Sequence, residues 1–217
     1  MSKKVAVILS GCGVFDGAEI NESVLTHLRL DQQGVKVSFF APDIPQKHVL
    51  NHITGEEMPE QRNVLVESAR ITRGTTQDVR SLNAADFDAV ILPGGFGVAK
   101  NLSDFAFAGA DCQIEEGTLQ AIQQFRDAKK PVGLICIAPA LSARIFGEGV
   151  NCTIGTDADT AKAIENMGGC HQDCSVEGIV VDEANRLVTT PAYMLAQSIS
   201  EAATGINALV DKILEMA

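Results

Sequence analysis

Three short segments place chemically capable residues where a strand gives way to a turn. The first ends at Cys136, which follows Gly133-Leu134-Ile135 and precedes Ile137-Ala138-Pro139-Ala140-Leu141. A thiol at a strand-to-helix turn, with small Ala138 two positions on, has the form of a nucleophile elbow. Partial positive charge at a helix N-terminus favours thiolate over thiol there. The bland alternative is a cysteine packed as a small hydrophobe. The second segment, Ile91-Leu92-Pro93-Gly94-Gly95-Phe96-Gly97, leaves an apolar run through a glycine pair. Bare N–H groups there can face a developing oxyanion, though a tight turn alone would use the same residues.

The third segment is Ser10-Gly11-Cys12-Gly13-Val14-Phe15-Asp16-Gly17-Ala18-Glu19. Its G-x-G-x-x-x-G spacing approaches a dinucleotide fingerprint, with Asp43 near the end of the second strand. The third glycine comes one position late, and Pro42 interrupts that strand end. Glu19 is the acid–base candidate, and it also reads as a first-turn carboxylate stabilised by a helix dipole. The combination of Cys136, Gly94-Gly95 and Glu19 at one sheet edge gives the thiol its weight.

The elements that must position these residues alternate along the chain. Residues 5–9, 35–41, 89–92 and 131–136 are short apolar runs of the kind buried in parallel sheets. Helical patterns fall at 16–33, 59–72, 115–128, 137–146 and 159–167. Residues 179–182 and 187–190 flank Glu183-Ala184-Asn185-Arg186 as a hairpin. Residues 194–215 form a long amphipathic helix with Leu195, Ile199, Ala202, Ile206, Leu209 and Ile213 on one face. This order predicts one three-layer α/β domain over residues 1–217, a mostly parallel sheet with helices on both faces. Ligands in such folds bind beyond the C-terminal strand ends, where all three segments lie.

Composition removes several function classes. Seventeen basic residues stand against 28 acidic ones, for a net charge of −11, and the basic residues are scattered. That argues against a phosphate-neutralising nucleic-acid surface and against an anionic membrane as partner. No apolar run approaches the roughly 20 residues of a bilayer span. Met1-Ser2-Lys3-Lys4 before residues 5–9 only faintly resembles a signal peptide, since the apolar stretch is short and no cleavage site follows. The six cysteines read as reduced thiols, which points to a cytoplasmic protein. Cys170-His171-Gln172-Asp173-Cys174 supplies one cluster where structural zinc needs more ligands, so no metal is expected. His27 reads as surface or packing, and His52 as part of a loop insertion that folds over the site or simply faces water.

The segments ILPGGFGVAKNL and GLICIAPAL resemble the PfpI/ThiJ superfamily, the class I glutamine amidotransferase-like fold. VILSGCGVFDGAEI, NHITGE, RNVLVESARITRG, TIGTDADTA and VVDEANRLVTTPAYMLAQSISEAATGI resemble its ElbB-like branch, so the likeness covers essentially the whole chain. The resemblance implies a flavodoxin-like sandwich with a reactive elbow cysteine. It places Cys136 at the nucleophile position, Glu19 as the carboxylate that hydrogen-bonds the thiol, and Gly95 with the Ile137 N–H at the oxyanion hole. Ile137 stands where many relatives carry His. Asn151-Cys152-Thr153-Ile154-Gly155-Thr156 stands where others do, and Leu134 replaces a small residue. A protease or glutaminase is therefore not expected, because no matching imidazole activates the thiol.

The resemblance further implies a slow hydro-lyase of the glyoxalase III type, acting on glyoxal or a similar small aldehyde without glutathione, metal or other cofactor. Cys136 would add to the aldehyde and Glu19 would shuttle the proton. Gly94, Gly95, Ile137 and His52 would surround the substrate, and a homodimer is expected. The competing reading is a redox-sensing or partner-binding dimer without catalysis, in which Cys136 is oxidised to sulfinic acid beside Glu19. A degraded amidotransferase subunit is weakened by the missing imidazole.

Overall fold

Runs of Val, Ile and Leu with no polar alternation require cover on both sheet faces. That is the arrangement in the computed structural model, which describes residues 2–217. Met1, part of the leader-like tetrad, lies outside the described residues. In chain order the elements are β1 (Lys4–Ile8), α1 (Ile20–Gln32), β2 (Lys36–Ala41), α2 (Val64–Ile71), β3 (Thr76–Asp78), β4 (Ala89–Leu92), α3 (Phe96–Lys100) and α4 (Phe105–Ala108). They continue with α5 (Glu116–Asp127), β5 (Val132–Ile135), α6 (Ser142–Phe146), β6 (Asn151–Cys152), α7 (Ala158–Asn166), β7 (Cys170–His171), β8 (Val180–Asp182), β9 (Leu187–Thr190) and α8 (Ile199–Met216).

Seven strands form one sheet in the order β3-β2-β1-β4-β5-β9-β8. Every pairing is parallel except the β8–β9 hairpin. The sheet is a flavodoxin-like α/β layer, as the segment order predicts. Successive side chains along a strand point to opposite faces. Ala6, Ile8, Val90, Leu92, Val132 and Leu134 therefore join one core with Ile122 and Phe125 of α5. Val5, Val7, Leu9, Ala89, Ile91 and Ile135 join the other, against Ile206, Leu209 and Ile213 of α8. Burying one such Leu or Ile is worth about 1.5–3 kcal/mol, so both helical layers are held by apolar area.

Several boundaries differ from the sequence expectation, among them α2, which starts at Val64 rather than at 59, and three others shape the site. α1 starts at Ile20 rather than at 16, because a tight loop precedes it: Gly17 N–H donates to Gly13 O (2.7 Å) and Gly13 N–H to Ala18 O (2.9 Å). The helix expected over 137–146 is a 3-10 turn, Ala138–Leu141, followed by α6. Pro139 in that turn lacks an N–H to give to an α-helical ladder. The last helix begins at Ile199, where Ser198 caps it by accepting from Glu201 N–H (3.2 Å). Ile199 is half exposed rather than part of the buried face. Residues 192–194 instead form a 3-10 turn that carries Tyr193 back over the sheet edge. β3 was not expected at all, since Thr-Gln-Asp at a sheet edge has no apolar pattern to read.

Candidate active site

β5 ends at Ile135, and Cys136 follows with φ +63°, in the left-handed region that only a supported turn holds. Its N–H donates to Thr190 O (2.9 Å), an extension of the β5–β9 ladder that fixes the elbow. The side chain is buried. The N–H groups of Gly95 and Ile137 point at the sulfur. Gly94 turns its N–H away, donating to Glu22 Oε2 (2.9 Å), so it is not free for a substrate oxygen.

The carboxylate against the thiol belongs to Glu22, not to Glu19 as the resemblance implied. Glu19 is the N-cap of α1, accepting from Glu22 N–H (2.6 Å). Glu22, nearly one turn further in, points under the sheet edge and is completely buried. Its Oε1 accepts from Tyr193 N–H (3.2 Å), and Asn21 Nδ2 donates to the Tyr193 hydroxyl (3.1 Å). Glu22 and Tyr193 are the site residues that sequence reasoning missed. Tyr193 is the only tyrosine in the chain, and its place at the site depends on a turn with no sequence signal.

Burial pushes the Glu22 carboxyl up to about 7, helped by the nearby charge of Glu19 and opposed by its hydrogen bonds. Burial likewise raises the Glu19 carboxyl, against the N–H groups it accepts from. The Cys136 thiol is pushed well up by burial and then by the Glu22 carboxylate, while the Gly95 and Ile137 N–H groups pull it down. The thiolate expected from a helix N-terminus is thus not favoured: the element after Cys136 is a short 3-10 turn, and a carboxylate faces the sulfur. Cys136 and Glu22 titrate as one unit. Alkylation of Cys136 by iodoacetamide, followed by mass spectrometry, should climb steadily from pH 7 to 9 and lag behind exposed Cys170. A rate already level below pH 7 would contradict this account.

Cys136 opens on a cavity of about 370 Å³ lined by Val14, Glu19, Gly95, Phe96, Ala99, Phe105, Ala106, Ile137, Asp157, Thr160, Tyr193 and Met194. His52 is not among the lining residues. Its ring packs on Phe15 at 5.0 Å, and its Nε2 accepts from Phe15 N–H (3.2 Å), so it braces the 11–18 loop from outside. His171 Nε2 accepts from Ile154 N–H (3.2 Å). Among the described residues, no three His, Cys, Asp or Glu side chains are grouped to hold a metal ion. No helix among them is long and apolar enough to cross a membrane.

The sheet that carries this left-handed elbow thiol, the buried carboxyl behind it and the two N–H groups around it has the fold shared by DJ-1/ThiJ/PfpI-like structures. Glyoxalase III of Candida albicans shares the fold, with a TM-score of 0.61 at 14% identity over 99% of this chain and 97% of that one. An isoprenoid biosynthesis protein with an amidotransferase-like domain from Ehrlichia chaffeensis superposes with a TM-score of 0.92, at 40% identity over 99% of both chains. The rat protein named "ES1 protein homolog, mitochondrial" is 45% identical over 98% of this chain and 84% of its own length. The human "Glutamine amidotransferase-like class 1 domain-containing protein 3, mitochondrial" is 45% identical over 98% of this chain and 83% of its own. The chain belongs to this ES1 family of glutamine amidotransferase-like class 1 domain proteins. No protein-family profile matches it. The mitochondrial names of these relatives overturn the cytoplasmic location expected above; reduced thiols report a redox poise, not an address.

Proposed function

We propose that this chain is a slow, cofactor-independent enzyme of the glyoxalase III type, converting a 2-oxoaldehyde to the 2-hydroxy acid through Cys136. The observation that carries the reading is the pairing of a cavity-facing elbow thiol with a buried carboxyl held near 7. A general base works best when its pKa lies near the operating pH. As sulfur attacks the aldehyde carbon, its proton passes to Glu22, and the new alkoxide is met by the Gly95 and Ile137 N–H groups.

Glu19 lines the cavity while Glu22 lies behind the thiol. That division assigns Glu19 to the carbon-bound proton: it takes hydrogen from the hemithioacetal carbon and delivers it to the neighbouring carbonyl carbon. The hemithioacetal carbon becomes a thioester, and water releases the hydroxy acid and the thiol. No imidazole lines the cavity to share this work, so turnover is expected to be slow.

Glyoxal turnover by wild type and Cys136→Ser tests the reading. Wild type should form glycolate, and the serine variant should lose turnover by a factor of about a thousand or more, because a hydroxyl is a far weaker nucleophile at neutral pH. Equal rates would eliminate Cys136. Absence of turnover in wild type would hand the site to the redox-sensing alternative, in which peroxide oxidises Cys136 to a sulfinate beside Glu22. Glu19→Gln should keep its melting temperature, since the amide oxygen still accepts from Glu22 N–H. It should lose most turnover, since an amide carries no proton.

The homodimer is also part of this proposal. Ile20, Val24 and Leu28 are 44%, 48% and 49% exposed along one side of α1, a stripe that a second copy would cover. Sedimentation showing only a 23.0 kDa species would refute it.

A further inference from the structure

The cavity at Cys136 is larger and more apolar than glyoxal requires. Its volume of about 370 Å³ lies in the roughly 300–1,000 Å³ range of pockets that enclose drug-sized ligands. Glyoxal is among the smallest carbonyl compounds. Phe96, Phe105 and Met194 form walls whose side chains offer no hydrogen-bond donor and only the weak acceptor of the Met194 sulfur. Aromatic and thioether groups of this kind pack well against a ring or a branched alkyl chain.

The charge around the cavity is of one sign. Glu19 and Asp157 line it, Glu22 lies behind it, and no Lys, Arg or His is among the lining residues. Asp157 caps α7 by accepting from Thr160 N–H (2.9 Å), and bonds from Thr160 hold its carboxyl below the ordinary range, so it is ionised at neutral pH. Lys100 is engaged elsewhere. It lines a separate cavity of about 190 Å³ that shares the Phe96 wall. Its Nζ donates to Phe15 O (2.8 Å). Beyond the Gly95 and Ile137 N–H groups, which the aldehyde oxygen takes, a carboxylate or phosphate entering the Cys136 cavity would lose water and meet like-charged neighbours.

We infer that the substrate of this site is an uncharged 2-oxoaldehyde bearing an aryl or branched-alkyl substituent, with its aldehyde at Cys136 and its substituent against Phe96, Phe105 and Met194. The inference rests on the proposed thiol chemistry and narrows it. With phenylglyoxal the bonds made and broken are those above. The aldehyde carbon is oxidised to the acid, the ketone carbon is reduced to the alcohol, and water supplies the remaining atoms, so mandelate forms without an external oxidant.

Initial rates with phenylglyoxal, glyoxal and 4-carboxyphenylglyoxal, read as hydroxy-acid product, test the class. Phenylglyoxal should exceed glyoxal in kcat/KM by about tenfold or more, the low end of what an apolar group is worth in a fitted pocket (roughly 10–200-fold). The carboxylated probe should fall at least about tenfold below phenylglyoxal, and Asp157→Asn, which keeps a capping side chain, should narrow that gap. A second arm needs no turnover: acetophenone should slow iodoacetamide alkylation of Cys136, and benzoate should not. Glyoxal matching phenylglyoxal, or benzoate protecting as well as acetophenone, overturns the substrate class. Failure of every aldehyde to react overturns the enzymatic reading instead, and the protection arm alone then decides which ligands the cavity takes.

Discussion

In Glu22→Gln, the unfolding free energy loses a decline that wild type shows between about pH 5 and 8. The glutamate carboxyl has an ordinary value of 4.5 and is raised to about 7 in the folded chain. Between those values the unfolded chain has released the proton and the folded chain still holds it. Stability therefore falls as pH rises through this window, by about 3 kcal/mol in all, and is level above it. An amide does not titrate, so the variant should miss this fall. It also has one oxygen for two donors, Gly94 N–H and Tyr193 N–H. The donor left unpaired costs about 1–3 kcal/mol at every pH. The variant should thus be the less stable protein at pH 5 and approach wild type by pH 8.5, as urea titrations across pH would record. Parallel curves would mean that Glu22 titrates as an ordinary carboxyl. Chemistry at the thiol should change in the opposite sense. Aldehyde turnover should drop by about 10²–10⁴, the range of a positioned acid–base group, while Cys136 alkylates faster because its negative neighbour is gone. A residue that only packs would not separate those two readouts.

The sheet was legible because its buried strands have no polar alternation: β1, β4 and β5 fall within a residue or two of the apolar runs 5–9, 89–92 and 131–136. The elbow was legible because a cysteine between an apolar run and Ala138-Pro139 has few other structures to adopt. The identity of the carboxylate was not. Glu19 and Glu22 are nearly one turn apart, and which one faces the sulfur depends on where α1 starts. A helix begun at 16 would place Glu19 inside it. The actual start at Ile20 makes Glu19 the cap and turns Glu22 inward. That start is set by the Gly13–Gly17 turn, whose hydrogen bonds are local but leave no periodic signal in the sequence. Tyr193 was hidden for a related reason, since an amphipathic pattern continued back to 194 where the chain makes a 3-10 turn. The thiolate expected from a helix dipole lacks its cause, since a four-residue 3-10 turn provides no such dipole.

Gly95→Ala should damage both the fold and the chemistry. Gly95 has φ +97° and ψ 155°, a region that essentially only glycine occupies. A Cβ there would collide with Glu19 N and Gly17 O and come within 2.9 Å of the Ala18 carbonyl carbon. All of these are backbone atoms of the 11–18 loop and the α1 cap, so no flexible side chain can give way. The backbone conformation costs about 1–3 kcal/mol and the overpacking about 1–3 more, for an expected loss of roughly 2–6 kcal/mol in urea unfolding. Gly34→Ala separates the two contributions. Gly34 has φ +68° with nothing within 4 Å of its Cβ position, so only the backbone penalty of about 1–2 kcal/mol applies. Where Gly95→Ala still folds, relief of the collision must move the Gly95 N–H away from the sulfur or push Glu19 and the start of α1 outward. Either displacement removes a donor or a carboxylate from the reacting atoms, and losing one oxyanion donor alone costs about 10²–10³ in rate. Equal destabilisation by the two alanines would mean that the glycine turn and the α1 cap do not pack as closely as the structure places them. An active Gly95→Ala enzyme would remove the Gly95 N–H from the oxyanion hole.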